Sequence, residues 1–235
     1  MEHSIHTDGF DDTTPGTIMV PDVIPIFPLQ RVVLLPGEVL PLHIFEQRYR
    51  EMVDDAIAGH RVIGMVEALP EDGDHDIGLA KIREVGCVGF IAQHQQLPDG
   101  RFLLWLLGLE RFRIEQEMAT GSSYRSVKVN YDPAEHSAQR LAGIQPVRQE
   151  LRSLLPTLLD ADKSTRESLA SQLDEVSDTQ LIALACQILE LPAERKQQIL
   201  EAESQTNRFM MVHEDVYRHL DHNPADDAFE GAMLN

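Results

Sequence analysis

The sequence predicts an α+β protein, with a strand-rich half first and a helical half after it. Three observations carry this. Residues 23–131 set short β-branched and apolar runs between Pro- and Gly-containing turns. After Pro133 the strand signals stop, and apolar residues recur at spacings of three and four up to about Asp221. A hydrophobic share of 43% over 235 residues is enough for one large core or two small ones. The predicted division is an acidic, mobile leader at 1–21, a β-rich subdomain at 22–132, a helical subdomain at 133–222 and a flexible tail at 223–235.

The leader holds four acids and no Lys or Arg, among Thr, Gly and Asp. Order is expected to begin at Val23. The stretch VIPIFPLQRVVLLPGEVLPLHI then places prolines at 25, 28, 36 and 41. That spacing excludes a long helix and implies short strands that are interrupted or at a sheet edge. Pro36-Gly37 marks a turn. Phe45, Tyr49, Met52, Val53, Ala56 and Ile57 share one face of a predicted helix, and Gly59 is placed to stop it in a left-handed conformation. Arg61–Ala68 reads as a buried strand, and the acidic run at 71–76 as a surface loop. Val85–Gln93 and Arg101–Leu107 form a predicted hairpin about Pro98-Asp99-Gly100. Gly108 is expected to break the second strand. Arg111–Glu117 alternates apolar and charged residues as a half-buried strand does, and Tyr124–Tyr131 is the last strand.

In the helical half, Ser164–Glu167 and Ser177–Gln180 both have capping-box spacing. Leu181, Ile182, Leu184, Ala185, Ile188 and Leu189 make a buried face behind the second. Pro192 suits the first turn of the next helix. Phe209, Met210, Val212, Val216 and Leu220 are the stripe of the last one.

The net charge is −19, from 39 acids against 20 bases. Such a surface repels phosphate backbones and anionic lipid, so neither nucleic acid nor a membrane is expected as a partner. The N-terminus is acidic, with no apolar signal segment, and no apolar run reaches the roughly 20 residues needed to span a bilayer. Cys87 and Cys186 lie in apolar runs with no CxxC pair, so they read as small buried thiols in a cytoplasmic protein.

The chemistry-bearing patterns are largely missing. There is no GxxxxGK phosphate loop and no GxSxG elbow. Asp74-His75-Asp76 sits in a polar surface loop. His219 and His222, three apart near a helix end, lack the further ligands that a metal site needs and suit a helix C-terminus instead. No catalytic residue, cofactor or metal is predicted. Trp105, in FLLWLLG, is expected in the core, with a groove-lining role as the alternative.

Beginning at Ile24, IPIFPLQRVVLLPGEVLPLHIFEQRYREMVDDAI closely resembles the opening of the Lon N-terminal domain. Glu84-Val-Gly-Cys-Val-Gly, Leu97-Pro-Asp-Gly-Arg, Gly108-Leu-Glu-Arg-Phe-Arg-Ile114 and the helical KQQILEAESQTNRFMMVHEDV from Lys196 follow in the family's order. The likeness covers roughly residues 23–221. It implies a PUA-like β pseudo-barrel with one packed helix, followed by a C-terminal α-helical bundle. It also implies a non-catalytic role in binding unfolded or tagged protein segments, or a partner protein, as an adaptor or quality-control factor. A neutral or cationic small ligand in a barrel cleft is the alternative. ATP hydrolysis and peptide cleavage do not carry over, because the segments that perform them in full-length Lon have no counterpart here. Candidate peptide-binding residues are Phe45, Arg48, Tyr49, Trp105 and Arg111, where apolar and cationic groups converge. A barrel edge that an extended client joins as a strand, or a seam between barrel and bundle, is the expected place.

Overall fold

The structure, a computed structural model, describes residues 2–6, 17–69, 80–131, 143–159 and 161–221. The acidic loop at 71–76, His222 and the tail lie outside the described residues. The chain forms two compact units. One takes in the described residues of Met1–Glu135 together with Pro192–Glu201, and the other those of His136–Leu191 and Ala202–Asn235.

The first unit holds a closed ring of strands, one further strand of the same sheet outside the ring, and a separate two-stranded sheet. β1 (Glu2–His6) and β2 (Thr17–Pro21) form a two-stranded antiparallel sheet. β3 (Val23–Leu29), β4 (Val39–Ile44), β5 (Val62–Glu67), β6 (Val85–Gln96), β7 (Phe102–Met118) and β8 (Ser126–Tyr131) form a six-stranded sheet in the order β4-β7-β6-β5-β3-β8. β8 also pairs with β7, which closes β7, β6, β5, β3 and β8 into a ring. β7 is long enough to serve two neighbours on one flank: β4 along Phe102–Leu107 and β8 along Phe112–Met118.

The leader differs from expectation. Residues 2–6 and 17–21 are strands, and their alternate apolar side chains explain why. Ile5, Ile18 and Val20 are buried in the same cluster as Ile24, Val88, Phe112 and Val129. The ring of His3 stacks on Tyr131 at 5.1 Å and its Nε2 lies 3.1 Å from Glu110. The acids counted at the sequence level say nothing about the apolar alternation beside them.

Barrel packing is set by Phe112, which is fully buried. A Cβ on Gly86 would sit 2.7 Å from its ring, and one on Gly64 at 3.0 Å, so both glycines make the room that this ring fills. β7 does not end at Gly108. It runs through it with a bulge, since Val88 faces Glu110 while Gly89 faces Gly108, leaving Leu109 as the extra residue.

Helix α1 (Gln47–Ala58) buries Tyr49, Met52, Val53 and Ala56, the predicted face. Phe45 is not part of it. Glu46 is the N-cap, so Phe45 lies ahead of the helix and is exposed, and Ile57 is half-buried. Gly59 has φ −109°, so the left-handed residue is Arg61 instead, at φ 59°. Its strain is offset by the side chain, which donates from Nη2 to the Ile91 carbonyl at 2.7 Å and lies 5.1 Å from the Phe90 ring centroid.

The remaining helices among the described residues are α2 (Gln145–Leu158), α3 (Lys163–Leu173), α4 (Asp178–Ile188), α5 (Ala193–Glu201) and α6 (Gln205–Asp221). The Ser177–Gln180 capping box is present, whereas α3 is capped by Asp162, whose carboxylate accepts from the Thr165 N–H at 3.0 Å. α6 buries Phe209, Val212 and Val216, but Met210 faces solvent. In the second unit Glu150 of α2 accepts from Tyr217 Oη and lies 2.9 Å from His213 Nε2, both on α6. Arg148 pairs with Asp178 at the start of α4.

Helix α5 belongs to the first unit, although it stands among the bundle helices in sequence. Three contacts hold it there. Lys196 Nζ donates to Glu38 Oε1 at 2.8 Å, Gln197 Nε2 to the Val85 carbonyl at 3.0 Å, and Arg111 Nη1 to the Leu200 carbonyl at 3.4 Å. Glu38 is 6% exposed. Its other oxygen accepts from the Leu35 N–H at 3.0 Å, and the Gly37 N–H donates to the Gly108 carbonyl at 2.8 Å.

Gly108→Ala would place a Cβ 2.1 Å from the Leu35 carbonyl oxygen. It is expected to cost about 1–3 kcal/mol in urea unfolding. Glu38→Ala leaves Lys196 and the Leu35 N–H without this carboxylate and is expected to cost about 3 kcal/mol in the same assay. A loss below about 0.5 kcal/mol for either would contradict the role given to the Pro36-Gly37 turn.

Candidate functional site

Four large apolar side chains are exposed among the described residues of the first unit: Met19 on β2, Val23 on β3, Phe45 just past β4 and Trp105 on β7. In the antiparallel ladder Pro41 lies opposite Trp105 and His43 opposite Leu103. On the other flank of β7, Gln93 lies opposite Trp105 and Gln95 opposite Leu103. Residues directly opposite one another, and those two apart along a strand, share a face. The three strands therefore present Pro41, His43, Trp105, Leu103, Gln93 and Gln95 together. Phe45 continues the row where β4 ends, with its ring edge-on to His43 at 6.2 Å between centroids.

A bulge sets this face. Ile91 faces Leu106 and Gln93 faces Trp105, so Ala92 is an extra residue and β6 passes from buried Ile91 to exposed Gln93. Leu104 and Leu106, the alternate residues of β7, point to the other side and are buried. Trp105 is 38% exposed and Phe45 is 62% exposed, so the expectation of a core tryptophan and a buried Phe45 is corrected here. A run that is apolar at every position does not say which of its faces meets water.

The other candidates separate from this pair. Tyr49 is 4% exposed and packs on Phe27 with ring centroids 4.4 Å apart. Arg48 pairs with Glu46 at 2.7 Å, and its guanidinium lies 4.7 Å from the Tyr49 ring centroid. Arg111 is 8% exposed and directed at the Leu200 carbonyl, near the C-terminal end of α5. Tyr49 and Arg111 are thus framework, and the expected convergence of aromatic and cationic groups does not form at the surface. Pro41, His43, Leu103, Gln93 and Gln95 were not among the candidates. The signal for them lay in the polar partners: His43 in β4 and the two glutamines in β6 mark the outward positions that the all-apolar β7 conceals.

The chemistry of the face is narrow. Residues 39–45 and 102–109 contain no Asp, Glu, Lys or Arg, in a chain that is 25% charged. Rings, a proline, aliphatic groups and amides suit contact with apolar chain segments and hydrogen bonding to peptide groups. Among the described residues no group of three or more His, Cys, Asp or Glu is placed to hold a metal ion. No described helix is long and apolar enough to cross a membrane.

Comparison with known proteins gives a consistent picture. Residues 23–216 match the family described as the ATP-dependent protease La (LON) substrate-binding domain. Lon protease of Anaeromyxobacter dehalogenans is 28% identical over 91% of this chain, and Lon protease 2 of Myxococcus xanthus 27% identical over 93%. The alignments cover 26% and 27% of those proteins, so the chain spans about a quarter of the curated relatives it matches. Among solved structures, the N-terminal domain of a Mycobacterium avium complex Lon protease superposes with a TM-score of 0.65 at 20% identity. It covers 84% of this chain and 99% of that one. A Lon N-terminal domain protein from Xanthomonas campestris gives 0.55 at 20% identity, over 81% and 96%. These likenesses show the α+β fold of Lon N-terminal domains, with which the helical C-terminal region is compatible.

The single tryptophan makes the exposed face measurable. Trp105 fluorescence is expected to be red-shifted and readily quenched by acrylamide in the native protein. Trp105→Ala should change stability by less than about 1 kcal/mol, whereas Tyr49→Ala should cost about 3–5 kcal/mol. A blue-shifted, unquenched emission would place Trp105 in the core.

Proposed function

The chain belongs to the family of LON substrate-binding domains, and from that premise we propose that it is a non-catalytic protein-binding module for unfolded or tagged segments of other proteins. The observation that carries this reading is the uncharged aromatic face of Phe45, Trp105, Pro41, His43 and Leu103. Solvent-exposed large apolar groups that lie together mark interaction sites more often than scattered ones do, and aromatic anchors dominate binding energy. Phe45 and Trp105 are the proposed contact residues. Arg48, paired with Glu46, and the buried Tyr49 and Arg111 are not proposed as contact residues.

The proposed role is that of an adaptor or quality-control factor that holds a client without altering it. ATP hydrolysis and proteolysis belong to the full-length relatives and are not part of this proposal. The charge of −19 supports protein clients over nucleic acid or anionic membrane. The two buried thiols, Cys87 and Cys186, support a cytoplasmic setting.

A permanently unfolded probe, reduced and carboxymethylated α-lactalbumin, tests the reading. Wild-type protein is expected to bind it, measured by fluorescence anisotropy, and not to bind the native form. Phe45→Ala with Trp105→Ala should weaken binding by more than tenfold, since two such anchors typically exceed about 2 kcal/mol together. Arg111→Ala, where the variant remains folded, should leave affinity within about threefold. Equal binding by wild type and the double variant would remove this face from the site.

A further inference from the structure

We infer that β4 accepts an extended, uncharged client segment as an added strand, held by the backbone of Val39, Pro41 and His43. This rests on the reading of the adjoining face as a protein-binding surface and specifies how that surface is used.

Within the six-stranded sheet the topology leaves β4 open to such a strand. The ring closes through the β7–β8 pairing, so β4 stands outside it. Among the described residues β4 has one strand neighbour, β7. Its other side is a sheet edge, which offers backbone donors and acceptors to an incoming strand.

The direction of those groups follows from one hydrogen bond. The Gly108 N–H donates to the Glu38 carbonyl at 2.8 Å, which makes Glu38 and Gly108 a hydrogen-bonded position of the antiparallel ladder. Hydrogen-bonded positions recur every second residue. The ladder Val39↔Leu107 to Ile44↔Phe102 runs on without a shift. Leu40, Leu42 and Ile44 therefore turn their backbone groups toward β7, and Val39, Pro41 and His43 turn theirs outward. Proline fits that parity, because at position 40 or 42 it would cost a ladder bond and at 41 it costs none. The outer edge thus presents the carbonyls of Val39, Pro41 and His43 and the N–H groups of Val39 and His43.

The side chains agree with the backbone. Alternate residues of an added strand would fall beside Pro41 and His43, on the face that carries Trp105 and Leu103, with Phe45 at its end. No charge lies in residues 39–45 or 102–109, so the segment selected is uncharged and apolar at alternate positions. A second copy of the chain suits the edge less well. Two β4 strands paired about their centres would set Pro41 against its own copy, with no N–H from either, and would bring together two chains of −19 each.

The test is residue-resolved hydrogen exchange of the full chain, with and without a seven-residue peptide of alternating Val, Thr and Phe on an uncharged soluble tail. The amides of Val39 and His43 should exchange fast in the absence of peptide and slow by roughly tenfold or more when it is bound at saturation. Those of Leu40 and Leu42, already in the ladder, should change little. His43→Pro, which removes an outward donor, should bind the peptide roughly tenfold more weakly than His43→Ala, which removes only the ring. If the peptide binds and quenches Trp105 but the Val39 and His43 amides are unaffected, strand addition is overturned while the protein-binding reading stands. If neither the peptide nor the unfolded probe binds, both fall. If Val39 and His43 are protected without peptide, and the chain sediments as a dimer that His43→Pro dissociates, the occupant is a second copy and the inference is overturned.

Discussion

The carboxylate of Glu38 is the contact on which the first unit depends. One oxygen holds the backbone of the Pro36-Gly37 turn through the Leu35 N–H, and the other holds α5 through Lys196. The turn in turn rests on Gly108, where the bulged β7 comes so close that no side chain fits. A buried carboxylate is tolerable only when both its oxygens are met by donors, and here each donor comes from a different part of the chain. The direction in which β4 leaves the turn, and hence the register that sets Trp105 opposite Pro41, follows from this joint.

The second constraint is the length of β7. A strand of ordinary length closes a ring or carries an extra edge strand. β7, running from Phe102 to Met118, does both on the same flank, with the bulge at Leu109 at the changeover. The barrel core then packs around Phe112 in the closed part, and the exposed aromatic face develops in the open part. Framework and surface are separated along one strand, so Phe45 and Trp105 can face water while residues a few positions away are fully buried.

Much of this fold was legible because its signals are local. The α1 face, the hairpin at Pro98-Asp99-Gly100 and the Ser177 capping box each follow from spacings within a few residues. The errors share a different cause. The run FLLWLLG has no polar residue to report its outer face, so Trp105 reads as core although it is exposed. Gly108 reads as a strand break, because a close approach by Leu35, over seventy residues earlier, is invisible in local sequence. The surrounding acids hide the strands before Val23, and Arg61 takes the left-handed position that suits Gly59 by residue type, its guanidinium meeting a carbonyl and a ring. Of the candidate residues Phe45 and Trp105 are exposed while Tyr49 and Arg111 are buried, and Arg111 is committed to α5, an element whose partner the sequence does not reveal.

Helix α5 carries a consequence for how the chain is made. Its residues, 193–201, complete a unit whose other described parts end at Tyr131. During synthesis the barrel strands leave the ribosome long before Lys196 does. At about 5–20 residues per second, roughly ten to thirty seconds separate the emergence of Glu38 from that of its ammonium partner. Until then the nascent barrel lacks the Lys196 ammonium that meets Glu38 Oε1 and the Gln197 amide that meets the Val85 carbonyl. A truncation near residue 133, at the apparent seam between strands and helices, would therefore yield an unfinished barrel rather than a free-standing half.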